Sequence, residues 1–118
     1  MKKVLYVLLP QFEEHELPYL TQPLRSDAMG MKEHPKYENK IVAESMEPVD
    51  AISGFRLLPD YTFDSMPNDY AALVLIGGYG WKGEAAERVA PLVADAISKG
   101  RIVGAICNAA SWLSLIHI

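Results

Sequence analysis

The hydrophobic positions of this 118-residue chain fall into short continuous runs separated by segments of helical periodicity. Three runs are apolar along most of their length, which is typical of strands covered on both faces in a parallel sheet. They are Val4 to Leu9, Tyr70 to Ile76 and Arg101 to Ile106. Lys40 to Ser45 predicts a further strand, and Val49 to Asp60 predicts a short hairpin.

Helical spacing of apolar residues predicts helices between these strands. Phe12 to Arg25 should be a short or kinked helix because it contains two prolines. Glu84 to Lys99 should be one continuous helix that stops at Gly100, and another helix should begin near Asn108. The polar segment of residues 26–39 is expected to be a loop. Strands that alternate with helices predict an α/β fold with an open parallel sheet.

Composition narrows the functional classes. Eleven basic and fifteen acidic residues give a net charge of −4, and the absence of a long basic run argues against nucleic acid as a partner. Two lysines precede the first apolar run, as in a signal peptide, but Pro10 ends that run after six residues. No segment reaches the roughly 18 apolar residues of a membrane span. The single cysteine allows no internal disulfide, which favours a cytoplasmic location.

Cys107 is the most informative position for chemistry. It directly follows a predicted buried strand, and Ala105 and Ala109 stand two residues to either side. Small neighbours are what a nucleophile elbow requires, since the tight strand-turn-helix leaves no room for large side chains. The nearby helix N-terminus would favour the thiolate. A buried structural cysteine is the alternative interpretation.

Gly77 and Gly78 end the preceding predicted strand. Glycines at the carboxyl end of a parallel strand let backbone N–H groups approach a ligand closely, as an oxyanion site needs. An ordinary loop is the alternative. The spacing of the glycines fits neither a dinucleotide fingerprint nor a phosphate-binding loop.

Acidic residues crowd the segment after the first strand. Glu13 and Glu14 are most simply explained as residues that complement a helix dipole. The histidines show no metal-ligand spacing with Cys107, so we expect neither a metal site nor a cofactor. These histidines are His15, His34 and His117.

Three separated segments together resemble the ThiJ/PfpI family of deglycases, glyoxalases and peptidase-like proteins, within the class I glutamine amidotransferase-like superfamily. They are Phe12 to Leu17, Leu75 to Gly78 and Ala105 to Ala109, and the similarity runs from Lys2 to about Trp112. The resemblance implies a flavodoxin-like parallel sheet.

The resemblance also implies a site. Cys107 matches the reactive cysteine of the family, and Glu16 matches the carboxyl group that hydrogen-bonds its sulfur. Gly77, Gly78 and the backbone N–H of Asn108 match the oxyanion pocket. A protonated glutamate beside a thiolate would stabilise the anion, so we expect the pKa of Cys107 to lie below its usual value of about 8.5.

Two departures from the family pattern limit the comparison. Peptidase-like members carry His directly after the cysteine, where Asn108 stands here. Family members are longer, so the chain is interpreted as an N-terminal part of one domain, truncated after the elbow. Residues 113–118 resemble translated adapter sequence, so the sequence leaves their native origin open. Such a chain is expected to be poorly stable by itself, and whether it is active is also left open.

The sequence therefore leaves several functions open. The first is a cysteine-dependent hydrolase or lyase that acts on small reactive carbonyls or glycation adducts, as a homodimer. The second is a non-catalytic, redox-sensing or stress-protective protein that uses an oxidisable Cys107. Glutamine amidotransferase-like and peptidase-like hydrolysis are further alternatives.

Overall fold

The apolar runs form three adjacent strands of a parallel sheet in a computed structural model that describes residues 1–116. The strands are β1 (Lys2–Val7), β2 (Ser26–Asp27), β3 (Gly30–Met31), β4 (Tyr37–Ala43), β5 (Val49–Asp50), β6 (Arg56–Leu57), β7 (Tyr61–Thr62), β8 (Ala72–Leu75) and β9 (Ile102–Ala105). The helices are α1 (Glu16–Arg25), α2 (Glu84–Glu87), α3 (Ala90–Ser98) and α4 (Asn108–Leu115), with a short 3₁₀ helix at Tyr79–Lys82.

Five strands build the main sheet in the order β7-β4-β1-β8-β9, and every neighbouring pair is parallel. Val7 aligns with Leu75, and Leu75 aligns with Ala105, so β1, β8 and β9 end at the same edge. Ligands of open α/β sheets bind at this edge. The predicted α/β fold with an open parallel sheet is confirmed.

Helices cover both faces of the sheet, which is why its strands are apolar on successive residues. Leu5 and Val7 share one core cluster with Val93 of α3. Tyr6 belongs to the opposite cluster, against which Leu17 of α1 packs. Packing against these two clusters holds α3 and α1 on opposite faces of the sheet.

The first helix begins later than the sequence predicted. Phe12 is not helical, because it forms bridges to Ala51 and Gly78 and accepts a hydrogen bond from the Ile52 N–H at 3.0 Å. The helix starts only at Glu16, which points back into the protein and is buried. The prolines shorten the helix, as expected.

The predicted continuous helix from Glu84 to Lys99 is wrong. It is broken into α2 and α3, and Pro91 stands at the second position of α3. Proline has no N–H to continue the hydrogen-bond ladder of the preceding turn, but it fits the first turn of a new helix. Gly100 ends α3 with a φ of 72°, as predicted for a C-terminal stop.

The connections contain short elements that the pattern did not predict fully. Residues 26–39 include the antiparallel pair β2–β3 and the start of β4 instead of a plain loop. The predicted hairpin is present as β5–β6, and the two-residue edge strand β7 was missed. Within residues 1–116, no helix has both the length and the apolar character needed to cross a membrane.

Candidate active site

Cys107 lies in the turn between β9 and α4, at the carboxyl edge of the sheet. Its φ of 52° and ψ of −123° are unusual for a residue with a side chain. Such backbone strain costs of order 1–3 kcal/mol and is concentrated at functional sites. Ala109, the second residue of α4, is fully buried, while the cysteine itself is exposed. The backbone thus has the geometry expected of a nucleophile elbow.

Gly77 and Gly78 lie beside this elbow because β8 is the neighbour of β9. A Cβ on Gly77 would lie 2.8 Å from the Ile106 carbonyl oxygen and 3.0 Å from the Cys107 Cβ. Gly78 has a φ of 148°, and a Cβ there would contact the backbone of Gln11 and Phe12. The absence of side chains at both positions lets three backbone segments converge on the cysteine.

Glu16 reaches the same place from the start of α1. Its residue exposure is only 6%, and its Oε1 accepts a hydrogen bond of 2.8 Å from the Gly77 N–H. Its Oε2 is buried and makes no hydrogen bond among the described residues. That oxygen lies 3.0 Å from the position of a Gly77 Cβ, as does the Cys107 Cβ. A buried carboxylate oxygen without a partner therefore stands next to the cysteine.

This carboxylate reverses the predicted effect on the thiol. The nearby Glu16 raises the pKa of the Cys107 thiol because it favours the protonated sulfur and repels the thiolate, and Glu13 adds a smaller repulsion. The prediction of a lowered pKa is wrong, because it relied on the dipole of α4 and on a protonated glutamate, whereas the carboxyl group raises the pKa of the thiol. Glu16 thus favours the protonated form of Cys107.

Two backbone N–H groups belong to the segments that meet at the elbow. Asn108 is the first residue of α4, where an N–H has no acceptor within the helix. Neither this N–H nor that of Gly78 donates a hydrogen bond within residues 1–116. The Asn108 side chain ties the two segments together, because its Nδ2 donates to the Gly78 carbonyl oxygen at 3.2 Å.

The other acidic residues before α1 have separate partners. Glu14 Oε1 accepts the Ser53 N–H at 3.1 Å, and the hydrogen bonding with Ser53 lowers the pKa of Glu14. Glu13 Oε2 lies 3.1 Å from Nδ1 of His15, whose side chain is 67% exposed. Of the three glutamates before and at the start of α1, only Glu16 enters the cysteine site directly.

Two features escaped sequence reasoning. Gln11 has a φ of 64°, and its N–H donates to the Asp50 carbonyl oxygen while its own carbonyl oxygen accepts the Tyr79 N–H, which gives the turn before Phe12 its shape. Ligand atoms of Glu13, His15 and Glu16 lie within 4.8 Å of one another. The close spacing of these three residues along the chain is the sequence signal for this cluster, whereas the expectation that no metal site exists rested on the spacing between the histidines and Cys107. His117 lies outside the described residues.

Comparison with known proteins identifies the family. The profile of the DJ-1/PfpI family matches residues 2–117. The chain belongs to the DJ-1/PfpI family. Among curated relatives of this DJ-1/PfpI chain, a Bacillus subtilis protein named as an uncharacterized protease, YdeA, is 30% identical over 115 residues, which are 97% of this chain and 53% of the relative. An uncharacterized Archaeoglobus fulgidus protein is 31% identical over 108 residues, 90% of this chain and 60% of the relative.

Solved structures agree with this assignment. A DJ-1 superfamily protein from Salmonella typhimurium, solved as a cysteine-to-alanine mutant, superimposes with a TM-score of 0.75 at 30% identity and covers 99% of this chain and 61% of its own. A DJ-1 superfamily protein from Agrobacterium tumefaciens gives a TM-score of 0.76 at 27% identity, covering 96% and 57%. The DJ-1/PfpI chain thus spans a little over half the length of these relatives.

Proposed function

We propose that the protein, in its full-length form, is a cysteine-dependent enzyme that acts on small reactive carbonyls, as glyoxalases and deglycases do. One observation carries this proposal: Cys107 stands on a strained elbow beside a buried Glu16 oxygen that has no other partner. Such a pair can form a bond to a carbonyl carbon and move a proton within the same site.

The first step is addition to an aldehyde. The Cys107 sulfur attacks the carbonyl carbon while Glu16 takes the thiol proton, so a charged thiolate need not persist. The electron pair of the C=O bond moves to oxygen, where the free N–H groups of Gly78 and Asn108 can stabilise the negative charge. Glu16 then returns the proton to that oxygen, and a hemithioacetal results.

Rearrangement of a 2-oxoaldehyde adduct uses the same carboxylate. Glu16 removes the proton from the former aldehyde carbon, and the neighbouring carbonyl is protonated to give an enediol. Transfer of a proton to the neighbouring carbon, with loss of the proton on the first oxygen, gives a 2-hydroxy thioester. Water hydrolyses the thioester, which releases a 2-hydroxy acid and regenerates the thiol. No external oxidant is needed, because the aldehyde is oxidised as the ketone is reduced.

The charge of the site favours neutral substrates. Glu16 and Glu13 both disfavour a negative charge on Cys107, so an anionic substrate would meet repulsion there. A neutral 2-oxoaldehyde would not. Negatively charged 2-oxo acids are therefore expected to be poor substrates.

Peptidase chemistry has less support. The Bacillus relative carries a protease name, but the position after the cysteine holds Asn108, whose amide is not a base. This amide is also engaged, since it donates to the Gly78 carbonyl oxygen.

Redox sensing is the second candidate, because Cys107 is exposed. The raised pKa of Cys107 argues against it, because oxidation follows thiolate content.

Turnover of methylglyoxal tests the proposal. The protein should form lactate, and Cys107→Ser and Glu16→Gln should each abolish most of this activity. Glu16→Gln keeps an oxygen that can accept the Gly77 N–H, so the fold should survive. Glu14→Gln is the matched control and should retain activity. Undetectable turnover by the wild type, or equal turnover by Cys107→Ser, would reject the proposal.

We also propose that the active protein is a homodimer. Tyr19 is 81% exposed on α1, and Met29 and Met31 are 95% and 68% exposed in the neighbouring β2–β3 hairpin. A second copy could cover these apolar side chains. Light scattering should give twice the protomer mass, and Met29→Lys with Met31→Lys should reduce it to a monomer.

A further inference from the structure

Three potential metal ligands converge beside the cysteine site. One donor atom each from Glu13, His15 and Glu16 lies within 4.8 Å of the others. The Glu13 and His15 side chains are 29% and 67% exposed, whereas Glu16 is only 6% exposed. The cluster therefore has a buried inner ligand and an exposed outer one, with access from solvent along His15.

No lysine or arginine balances the negative charge of this cluster in the part of the chain that the structure describes. Within residues 1–116, neither Glu13 nor Glu16 forms an ion pair with a lysine or arginine, and the nearest ring nitrogen is His15 Nδ1. The buried Oε2 of Glu16 also lacks a hydrogen-bond partner. Two close carboxyl groups, one of them buried, are costly without a compensating proton or cation.

We propose that Glu13, His15 and Glu16 bind one divalent transition-metal ion, for which Zn²⁺ is the best chemical match. Zinc takes imidazole nitrogen and carboxylate oxygen at about 2.0–2.2 Å, so donor atoms already within 4.8 Å need only a small inward shift. The imidazole disfavours Mg²⁺ and Ca²⁺, which prefer oxygen ligands. Three protein ligands leave a fourth position for water.

Occupation of this site should inhibit Cys107, an effect that rests on the proposed function. A cation on Glu16 occupies the carboxylate that would take and return the thiol proton. Cys107 is not a member of the ligand cluster. Metal binding should therefore survive without the thiol, whereas turnover should not survive metal binding.

Calorimetric titration with ZnCl₂ tests the site on the protein itself. The wild type should bind one Zn²⁺ saturably in the micromolar range, and Cys107→Ser should bind it with the same affinity. His15→Gln and Glu13→Gln should each weaken the affinity at least about tenfold, the lower end of the cost of losing even an outer-shell partner. His34→Gln, at the exposed His34, and Glu14→Gln are matched controls that should leave it unchanged.

Two results would overturn the metal site. One is the absence of saturable binding by a folded wild type. The other is binding that persists in His15→Gln but disappears in Cys107→Ser or His34→Gln, which would place the ion on the thiol or on a surface histidine. Methylglyoxal turnover measured in parallel should fall as Zn²⁺ binds. Full turnover with the site occupied would refute the role of Glu16 in the proposed function and would not affect the binding result.

Discussion

Substitution of Gly78 by alanine should destabilise the protein strongly. The residue has a φ of 148°, and a Cβ there would contact the Gln11 carbonyl oxygen and lie 2.7 Å from the Phe12 Cα. Both neighbours are backbone atoms, so no side chain can rotate away. An unfavourable φ costs about 1–2 kcal/mol, and overpacking costs about 1–3 kcal/mol. The sum of roughly 2–5 kcal/mol is a large part of an ordinary stability of about 5–15 kcal/mol.

Urea unfolding followed by tryptophan fluorescence measures this loss. With a slope of about 1–3 kcal/mol per molar urea, the midpoint of Gly78→Ala should fall by about 1 M or more. Gly104→Ala is the control, because a Cβ on Gly104 would meet no atom within 4 Å. It should leave the midpoint unchanged or raise it slightly. Equal midpoints for Gly78→Ala and the wild type would refute the close backbone approach described at the site.

Three further substitutions, one of them at an exposed position, use the same unfolding assay. Leu5→Ala removes a fully buried side chain of the central strand and should lower the free energy of unfolding by about 2–5 kcal/mol. Ile102→Ala, at a side chain that is 70% exposed, should lower it by less than about 0.5 kcal/mol. A larger loss for Ile102→Ala than for Leu5→Ala would contradict the burial described for β1 and β9. Trp81→Phe removes the 2.6 Å hydrogen bond from Nε1 to the Ile76 carbonyl oxygen and should cost about 1–3 kcal/mol, and an unchanged free energy of unfolding would show that water replaces the indole.

The strands of the sheet could be predicted because their burial leaves a pattern within a few consecutive residues. A central strand such as β1 is covered on both faces, so it leaves a continuous apolar run in the sequence. The break between α2 and α3 was also encoded locally, in Pro91, but apolar periodicity on both sides of the proline concealed it. A proline in the middle of such a periodic segment marks the start of a new helix.

The start of α1 could not be predicted in the same way. Phe12 has apolar helical spacing, yet bridges to Ala51 and Gly78 hold it in an extended connection. These partners are distant in sequence, so no local window contains the interaction. The positive φ of Gln11 depends on the same tertiary contacts.

The candidate site shows a similar division. The small neighbours of Cys107 predicted the elbow geometry, because sterics act over a few residues. Family resemblance, and not spacing, distinguished Glu16 from Glu13 and Glu14. The direction in which Glu16 shifts the pKa of Cys107 could not be predicted in this way. It depends on how close the carboxyl group lies to the sulfur, and that distance is set by the fold and not by local sequence.

The central claim is that Glu16 controls the protonation of Cys107, and the pH dependence of iodoacetamide alkylation tests it most directly. Removal of the carboxylate charge in Glu16→Gln should lower the pKa of Cys107, since Glu16 is the largest cause of its rise. The alkylation midpoint should therefore move to lower pH, while Glu14→Gln leaves it in place. At the same time Glu16→Gln should lose methylglyoxal turnover, although its thiol reacts faster near neutral pH. A midpoint that stays unchanged or moves to higher pH in Glu16→Gln would contradict the account.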